Sequence, residues 1–162
     1  AAFRELFSRY ERKVYMFCLR MTSDPDNAAD IFQETFTRFY KHTQKNEQVQ
    51  NFLAYLLTSA RNIFLNTRRN TVQWSPFDDD QQIADQLPLY ERNELMNLIR
   101  SALELLDDSY REAFIMRFYE GLSYKEIAEI TGDSVSSLKI RVMRAKDQVR
   151  SILSPYINDL MK

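Results

Sequence analysis

The sequence is poor in the residue types from which most metal and catalytic sites are built. Its 162 residues include 1 Cys, 1 His, 2 Gly and 4 Pro. The single thiol, Cys18, excludes a disulfide framework and a zinc site made of several thiolates. The single imidazole, His42, excludes a metal site that pairs two histidines. Two glycines cannot build a glycine-rich phosphate loop. We therefore expect no metal, no cofactor and no enzymatic activity.

Long apolar runs are missing too. The longest, Phe52 to Leu57, is far shorter than the roughly 20 residues that span a bilayer, and the first residues lack a signal-peptide pattern. A sheet-rich fold would need more Gly and Pro for its turns. With 44% hydrophobic and 28% charged residues, the chain can still bury a core. These features predict a helical protein of the reducing cytoplasm that works by binding.

Charge is nearly balanced overall but is separated along the chain. The formal net charge is −1. Residues 1–74 carry 11 Lys and Arg against 7 Asp and Glu, residues 75–110 carry 2 against 9, and residues 111–162 carry 9 against 7. Two basic ends therefore flank an acidic middle, although ordinary solvated helix faces would give the same counts.

Apolar residues at spacings of three and four predict three helices in the first part of the chain. These helices span 3–21, 26–41 and 51–69. Cys18 lies near the core face of the first, which indicates a buried thiol. The polar stretch 42–50 is predicted to be a loop. Residues 70–88 have no amphipathic period and include the run Asp78-Asp79-Asp80, which indicates a linker.

Four further helices are predicted after the linker, over 89–106, 110–119, 124–130 and 135–153. Gly121 suits a C-terminal cap, and Pro155 is expected to interrupt the last helix. The predicted fold is all-α, with two small helical domains joined by an acidic flexible linker. The first domain is a three- or four-helix bundle, and the second is a four-helix domain with a helix-turn-helix. The expected domains are 1–70 and 89–162, with the linker at 71–88.

The stretch from Ser123 to Lys146 has the features of a helix-turn-helix. Ser123 and Glu126 form a capping box, and Gly132 stands where the turn needs a left-handed backbone. The helix that follows is apolar on one face and polar and basic on the other, as is typical of a helix that enters the DNA major groove. A helical hairpin with a solvated basic face is the alternative that spacing alone leaves open.

Two segments resemble a known family. The first is Asp26-Asn-Ala-Ala-Asp-Ile-Phe-Gln-Glu-Thr-Phe36, followed by Phe52-Leu-Ala-Tyr-Leu-Leu-Thr-Ser-Ala-Arg-Asn62. The second runs from Leu105-Leu-Asp-Asp-Ser-Tyr-Arg111 through Tyr119-Glu-Gly-Leu-Ser-Tyr-Lys-Glu-Ile-Ala128 into the helix-turn-helix. Together they resemble the bacterial RNA polymerase sigma factors, in particular the two-domain extracytoplasmic-function group of the sigma-seventy family.

The resemblance implies a promoter-specificity subunit that binds core RNA polymerase, recognises and melts promoter DNA and starts transcription of a stress or envelope regulon. It implies that one face of the second helix binds the polymerase, through Asp30, Gln33, Glu34, Thr37 and Arg38. It implies that the third helix holds melted minus-ten DNA, through Tyr55, Arg61, Asn62, Asn66 and Arg69. The loop 42–50 would trap a flipped base. At Tyr55 the family often has Trp.

The resemblance also implies that the last helix reads the duplex minus-thirty-five element, through Ser136, Ser137, Lys139, Ile140, Arg141, Arg144 and Lys146. Asp133 and Ser134 depart from the family's turn, where we interpret Asp133 as a capping or turn residue. The linker aspartates, Asp78 to Asp80 and Asp85, would mimic RNA charge in a basic channel, although a soluble tether would carry the same residues. An anti-sigma protein is a further expected partner.

The sequence fits three other classes of function less well. A helix-turn-helix transcriptional regulator that is not a polymerase subunit would need a phosphoacceptor or ligand domain, and residues 1–70 show no strand and helix alternation. A carboxylate enzyme would need acids gathered with a partner in a pocket. A helical adaptor would leave the DNA-facing pattern of both halves unexplained.

Overall fold

Three helices form the first half of the chain, as their apolar periodicity predicts. The computed structural model describes residues 2–45, 51–70 and 94–160, without the side chains of 69, 70 and 157–160. The chain divides into two compact units, Ala1–Asp79 and Asp80–Lys162. In the described part of the first unit, the helices are α1, Ala2–Thr22, α2, Pro25–Gln44, and α3, Phe52–Asn70.

The break between α1 and α2 is built from short polar residues. The Asp24 side chain caps α2, because its Oδ1 accepts from the backbone N–H of Asp26 at 3.0 Å. Pro25 follows at the first helical position, where a missing N–H costs nothing. Ser23 turns the chain with a left-handed φ of 54°. These residues set the point at which α2 folds back on α1.

Aromatic rings fill much of the interior of this three-helix bundle. Phe7 of α1 meets Phe36 of α2 with ring centroids 4.8 Å apart. Phe39 contacts Phe3 of α1 at 6.0 Å and Phe52 of α3 at 5.8 Å. The Phe3–Phe39 pair is stacked and the other two are edge-to-face, and both arrangements add to the stability gained by burying the rings. The predicted burial of Cys18 is confirmed.

The described part of the second unit holds four helices and a π-helical turn. The helices are α4, Glu94–Glu104, α5, Asp108–Phe114, α6, Tyr124–Thr131, and α7, Val135–Leu160. The π-helical turn, Ile115–Tyr119, extends α5, and Gly121 ends it with a φ of 68°. The apolar side of α7 packs Leu138, Val142 and Ala145 into the core.

The all-α prediction is confirmed for the described residues, and three local predictions need correction. The helix α2 continues to Gln44, so the first residues of the predicted 42–50 loop are helical. The predicted helix 110–119 is α-helical only as far as Phe114, and Ile115–Tyr119 form the π-helical turn. Pro155 does not end α7, which runs on to Leu160. A proline removes one main-chain hydrogen bond. The packing of the apolar face of α7 ahead of Pro155 compensates for this loss, so the helix continues. The predicted linker, 71–88, lies outside the described residues.

Candidate nucleic-acid interface

The helix-turn-helix is fixed by caps at each of its bends. Ser123 Oγ accepts from the backbone N–H of Glu126 at 3.1 Å, and the Glu126 carboxylate accepts from the backbone N–H of Ser123 at 3.0 Å. Gly132 adopts the left-handed conformation with a φ of 81°. Ser134 Oγ accepts from the N–H of Ser137 at 3.2 Å. The capping box and the turn glycine are therefore found where they were expected, and Ser134 adds a cap at the start of α7.

The solvent side of α7 carries most of the residues predicted to contact duplex DNA. Ile140 is 47% exposed and Met143 is 56% exposed. Met143 was not in the predicted set, whose exposed members besides Ile140 are Ser136, Ser137, Lys139, Arg144 and Lys146. This face combines hydroxyl, cationic and apolar side chains, which match phosphates, base edges and thymine methyl groups.

A groove of about 660 Å³ runs beside the amino-terminal half of α7. Its lining joins α7 to the start of α5 and consists of Asp107, Ser109, Tyr110, Ser136, Ser137, Ile140, Arg141 and Arg144. The sequence analysis gave neither Ser109 nor Tyr110 a role in binding DNA. Their place in the groove depends on how α5 packs against α7, which no local pattern reveals.

Arg141 is oriented differently from its neighbours on α7. Its Nη1 donates to Asp133 Oδ2 at 2.9 Å, and the two side chains are 18% and 37% exposed. Asp133 also donates its backbone N–H to Thr131 Oγ1 at 3.2 Å. Asp133 is therefore a turn residue, as predicted, and in addition it pairs with a cation that was expected to contact DNA.

A second contact fixes a cation on the other flank of α7. Lys139 Nζ lies 5.9 Å from the ring centroid of Tyr124, the first residue of α6. The guanidinium carbon of Arg117 lies 4.5 Å from the same centroid, and Arg117 Nη1 donates to the Leu122 carbonyl at 2.9 Å. Both cations interact with the electron-rich face of one ring.

In the first unit, the predicted polymerase-binding residues share one exposed face of α2. They are Asp30, Gln33, Glu34, Thr37 and Arg38. Arg38 Nη2 lies 2.6 Å from Glu34 Oε1 in an exposed pair, and Thr37 Oγ1 donates to the Gln33 carbonyl at 2.8 Å. The face is therefore polar, of mixed charge and open to a partner.

The outer face of α3 carries the residues predicted to hold melted DNA. Asn62 and Asn66 are exposed, whereas Arg61 and Tyr55 are half-buried. The Tyr55 ring packs 4.9 Å from that of His42 and 5.7 Å from that of Phe39, so part of this ring serves the bundle. The side chain of Arg69 lies outside the described residues, as do residues 46–50 of the predicted trapping loop and the linker aspartates.

Other kinds of site were also considered. Over 2–45, 51–70 and 94–160, no three His, Cys, Asp or Glu side chains lie close enough together to hold a metal ion. Across those same ranges, no helix is long and apolar enough to cross a membrane.

Comparison with known proteins gives two family matches. A model described as Sigma-70 region 2 matches residues 6–73, and one described as Sigma-70, region 4 matches residues 96–149. The ECF RNA polymerase sigma factor SigM of Bacillus subtilis (strain 168) is 30% identical over 160 residues, which cover 96% of this chain and 97% of that relative. SigE of Mycolicibacterium smegmatis, also named an ECF RNA polymerase sigma factor, is 27% identical over 165 residues, 96% of this chain and 63% of the relative.

A solved structure has the same fold. The sigma factor RpoE of Bartonella quintana, determined in complex with the anti-sigma factor NepR, matches with a TM-score of 0.77 at 24% identity. The match covers 94% of this chain and 97% of that one.

Proposed function

This chain belongs to the extracytoplasmic-function group of the sigma-70 family, and from that premise we propose how its surfaces divide the work of promoter recognition. It is a promoter-specificity subunit of RNA polymerase. The observation that carries this function is that regions 2 and 4 both occur, in that order, in one chain. A regulator that acts apart from the polymerase is not favoured, because residues 6–73 match a sigma region rather than a ligand or phosphoacceptor domain.

The α2 face, Asp30, Gln33, Glu34, Thr37 and Arg38, binds core RNA polymerase in this proposal. Its support is that all five side chains are exposed on one helix whose other face is packed into the bundle. Mixed charge favours a partner surface of complementary polarity, which adds specificity and association rate.

The α3 face holds the melted minus-ten strand. Exposed amides at Asn62 and Asn66 suit base edges, the half-buried Arg61 is placed to meet phosphate, and Tyr55 offers part of a ring for stacking. Trapping an extruded base costs a few kcal/mol, which such contacts must offset. Arg69 extends the same helix.

The α7 face reads the duplex minus-thirty-five element. Exposed Lys139, Arg144 and Lys146 supply charge, and Ser136, Ser137 and Ile140 lie beside them. The groove shared with α5 adds Ser109 and Tyr110 to the residues that a DNA backbone would meet. These two were not in the predicted set.

Regulation by an anti-sigma protein completes the proposal. The support is a relative of the same fold, Bartonella quintana RpoE, which was determined in complex with the anti-sigma factor NepR. We further propose that this chain acts in the cytoplasm and makes no bonds itself, because the polymerase performs the chemistry.

The first experiment is transcription in vitro with core polymerase on a fragmented bacterial genome, with and without this protein, followed by sequencing of the RNA 5′ ends. Discrete new starts that share two spaced upstream elements are expected, and the genes downstream identify the regulon. No new starts together with no binding to core polymerase would overturn the assignment.

The division of surfaces is tested by matched variants. Asp30→Ala with Gln33→Ala is expected to weaken core binding about tenfold, as removal of central interface contacts does. Asn62→Ala with Asn66→Ala is expected to retain core binding but lose open-complex formation. Lys13→Ala and Ser8→Ala, exposed on α1, serve as controls and should behave as wild type. Equal losses in all variants would contradict the assignment.

A further inference from the structure

The turn of the helix-turn-helix places the Asp133 carboxylate against Arg141, a cation that lines the groove beside α7. We propose that Asp133 is a specificity-determining residue, which holds Arg141 in a neutral pair at the rim of the groove and so limits sequence-independent binding to DNA. This inference rests on the proposed function of α7 as the duplex-reading helix.

The local backbone fixes the position of the Asp133 carboxylate. The backbone N–H of Asp133 donates to Thr131 Oγ1 at 3.2 Å, and Thr131 Oγ1 donates to the Ile127 carbonyl at 3.0 Å. Gly132 turns the chain between them. Asp133 Oδ2 then accepts from Arg141 Nη1 at 2.9 Å, across eight positions of sequence. This is a bridge from turn to helix rather than a pair on consecutive turns of one helix.

The pair changes how much charge the groove presents to a phosphate. Arg144 lines the groove and is exposed, whereas Arg141 lines it with its charge offset by Asp133. Sequence-independent affinity for DNA depends on how many phosphates a protein neutralises. One of the two arginines in the groove is thereby largely removed from that count.

The pair with Asp133 offsets the charge of Arg141 but uses few of its hydrogen-bond donors. A guanidinium carries five N–H donors, and the bond to Asp133 uses only the Nη1 group. The same bond holds the Arg141 side chain in one orientation. The remaining donors stay available for a correctly placed acceptor. Specificity is a difference between two affinities, so it rises when the pair lowers sequence-independent affinity more than it lowers the affinity of the specific complex, in which the remaining donors of Arg141 still form bonds.

The test measures binding of the full chain to a labelled duplex of mixed sequence, about 30 base pairs long, at salt concentrations from about 50 to 200 mM. Asp133→Asn keeps the size of the side chain and removes its charge. It is expected to bind about threefold more tightly at the lowest salt and to steepen the slope of log K against log salt by about 0.9, as for one more phosphate contact. Asp133→Ser, with another common turn residue, should behave likewise.

Two further variants separate this pair from a general charge effect. Asp147→Asn makes the same charge change on an exposed side chain of α7 and is expected to leave the slope unchanged. In an Arg141→Gln background, Asp133→Asn is expected to have little effect, since coupling between paired residues vanishes when one partner is removed. Equal gains in D133N and D147N, or an undiminished gain without Arg141, would overturn the inference.

Arg144→Gln reports on the underlying function. If R144Q weakens binding and D133N does nothing, the inference is wrong and the role of α7 stands. If R144Q binds as wild type does, α7 is not the duplex-binding helix, and both proposals are overturned. With a promoter fragment from the start-site mapping, polymerase carrying D133N is expected to discriminate about threefold less between promoter and mixed-sequence DNA, in line with the change in general affinity. Undiminished discrimination would also overturn the inference.

Discussion

The guanidinium of Arg111 donates from Nε to the main-chain carbonyl of Leu103 across 2.9 Å. Its Nη2 donates to the carbonyls of Glu104 at 2.9 Å and Leu106 at 3.1 Å. The last carbonyls of a helix have no partner within the helix, and those at the end of α4 are satisfied by this side chain from α5. A cation also complements the negative end of the helix dipole. Arg111 thus fastens α5, and the groove residues at its start, to α4.

Replacing Arg111 is expected to destabilise the protein strongly. Arg111→Met removes the side-chain donors to the carbonyls of Leu103, Glu104 and Leu106, which costs about 2–4 kcal/mol in the free energy of unfolding. Urea denaturation measures this. Arg150→Met, on an exposed position of α7, serves as the control and should stay within about 0.5 kcal/mol of wild type. A wild-type midpoint for R111M would show that this side chain does not secure α4.

Gly132 is expected to tolerate a side chain sterically but not conformationally. A Cβ built there meets no atom within 4 Å, and its φ is 81°. Gly132→Ala is therefore expected to cost about 1–2 kcal/mol through its left-handed backbone alone. Gly132→Asn should cost less, because asparagine visits this conformation more readily. Thermal or urea unfolding compares them, and an equal loss in both variants would point to a steric cause.

Tyr124 is expected to stabilise the helix-turn-helix through its ring rather than its hydroxyl. Tyr124→Leu removes the ring face that meets Arg117 and Lys139 and should cost about 0.5–1 kcal/mol for each cation–π contact that is lost. Tyr124→Phe keeps the ring and should unfold close to wild type. If Y124F loses as much stability as Y124L, the hydroxyl and not the ring is responsible.

Tyr15 is expected to make stability fall at alkaline pH. Partial burial raises its pKa above the usual 10.0, and the nearby Cys18 and Asp26 raise it further. Above pH 10 the unfolded chain therefore loses the phenolic proton before the folded one does, so stability decreases as pH rises through that range. The check is urea unfolding at several pH values for wild type and Tyr15→Phe. The difference between them should be flat below pH 9 to 10 and change above it.

Local patterns in the sequence predicted the helices and the turn well. The capping box at Ser123, the left-handed Gly132 and the burial of Cys18 each depend on a few adjacent residues or on one helical period. Packing between residues that are distant in sequence was harder to predict. Thr35, a polar residue that the sequence did not mark as part of the core, is fully buried, and its Oγ1 donates to the Ile31 carbonyl at 2.7 Å. A threonine can enter a core when its hydroxyl is satisfied by its own helix.

The candidate sites were predictable as helix faces but not as arrangements of side chains. Helical period alone places Lys139, Ile140 and Arg144 on the outer side of α7. The pairing of Asp133 with Arg141 depends on the rotamers chosen across a turn. The approach of Ser109 and Tyr110 to α7 depends on the packing of separate helices. Neither leaves a periodic signal in the sequence.

Phe39 touches the rings of Phe3 on α1 and Phe52 and Tyr55 on α3, so a single side chain locks all three helices of the bundle together. The asparagines on the outside of α3 take no part in this lock. If α3 holds the minus-ten strand as proposed, Asn62 and Asn66 are free to change with the DNA sequence while the interior keeps the bundle assembled, whereas Tyr55 belongs to both the DNA-facing set and the interior.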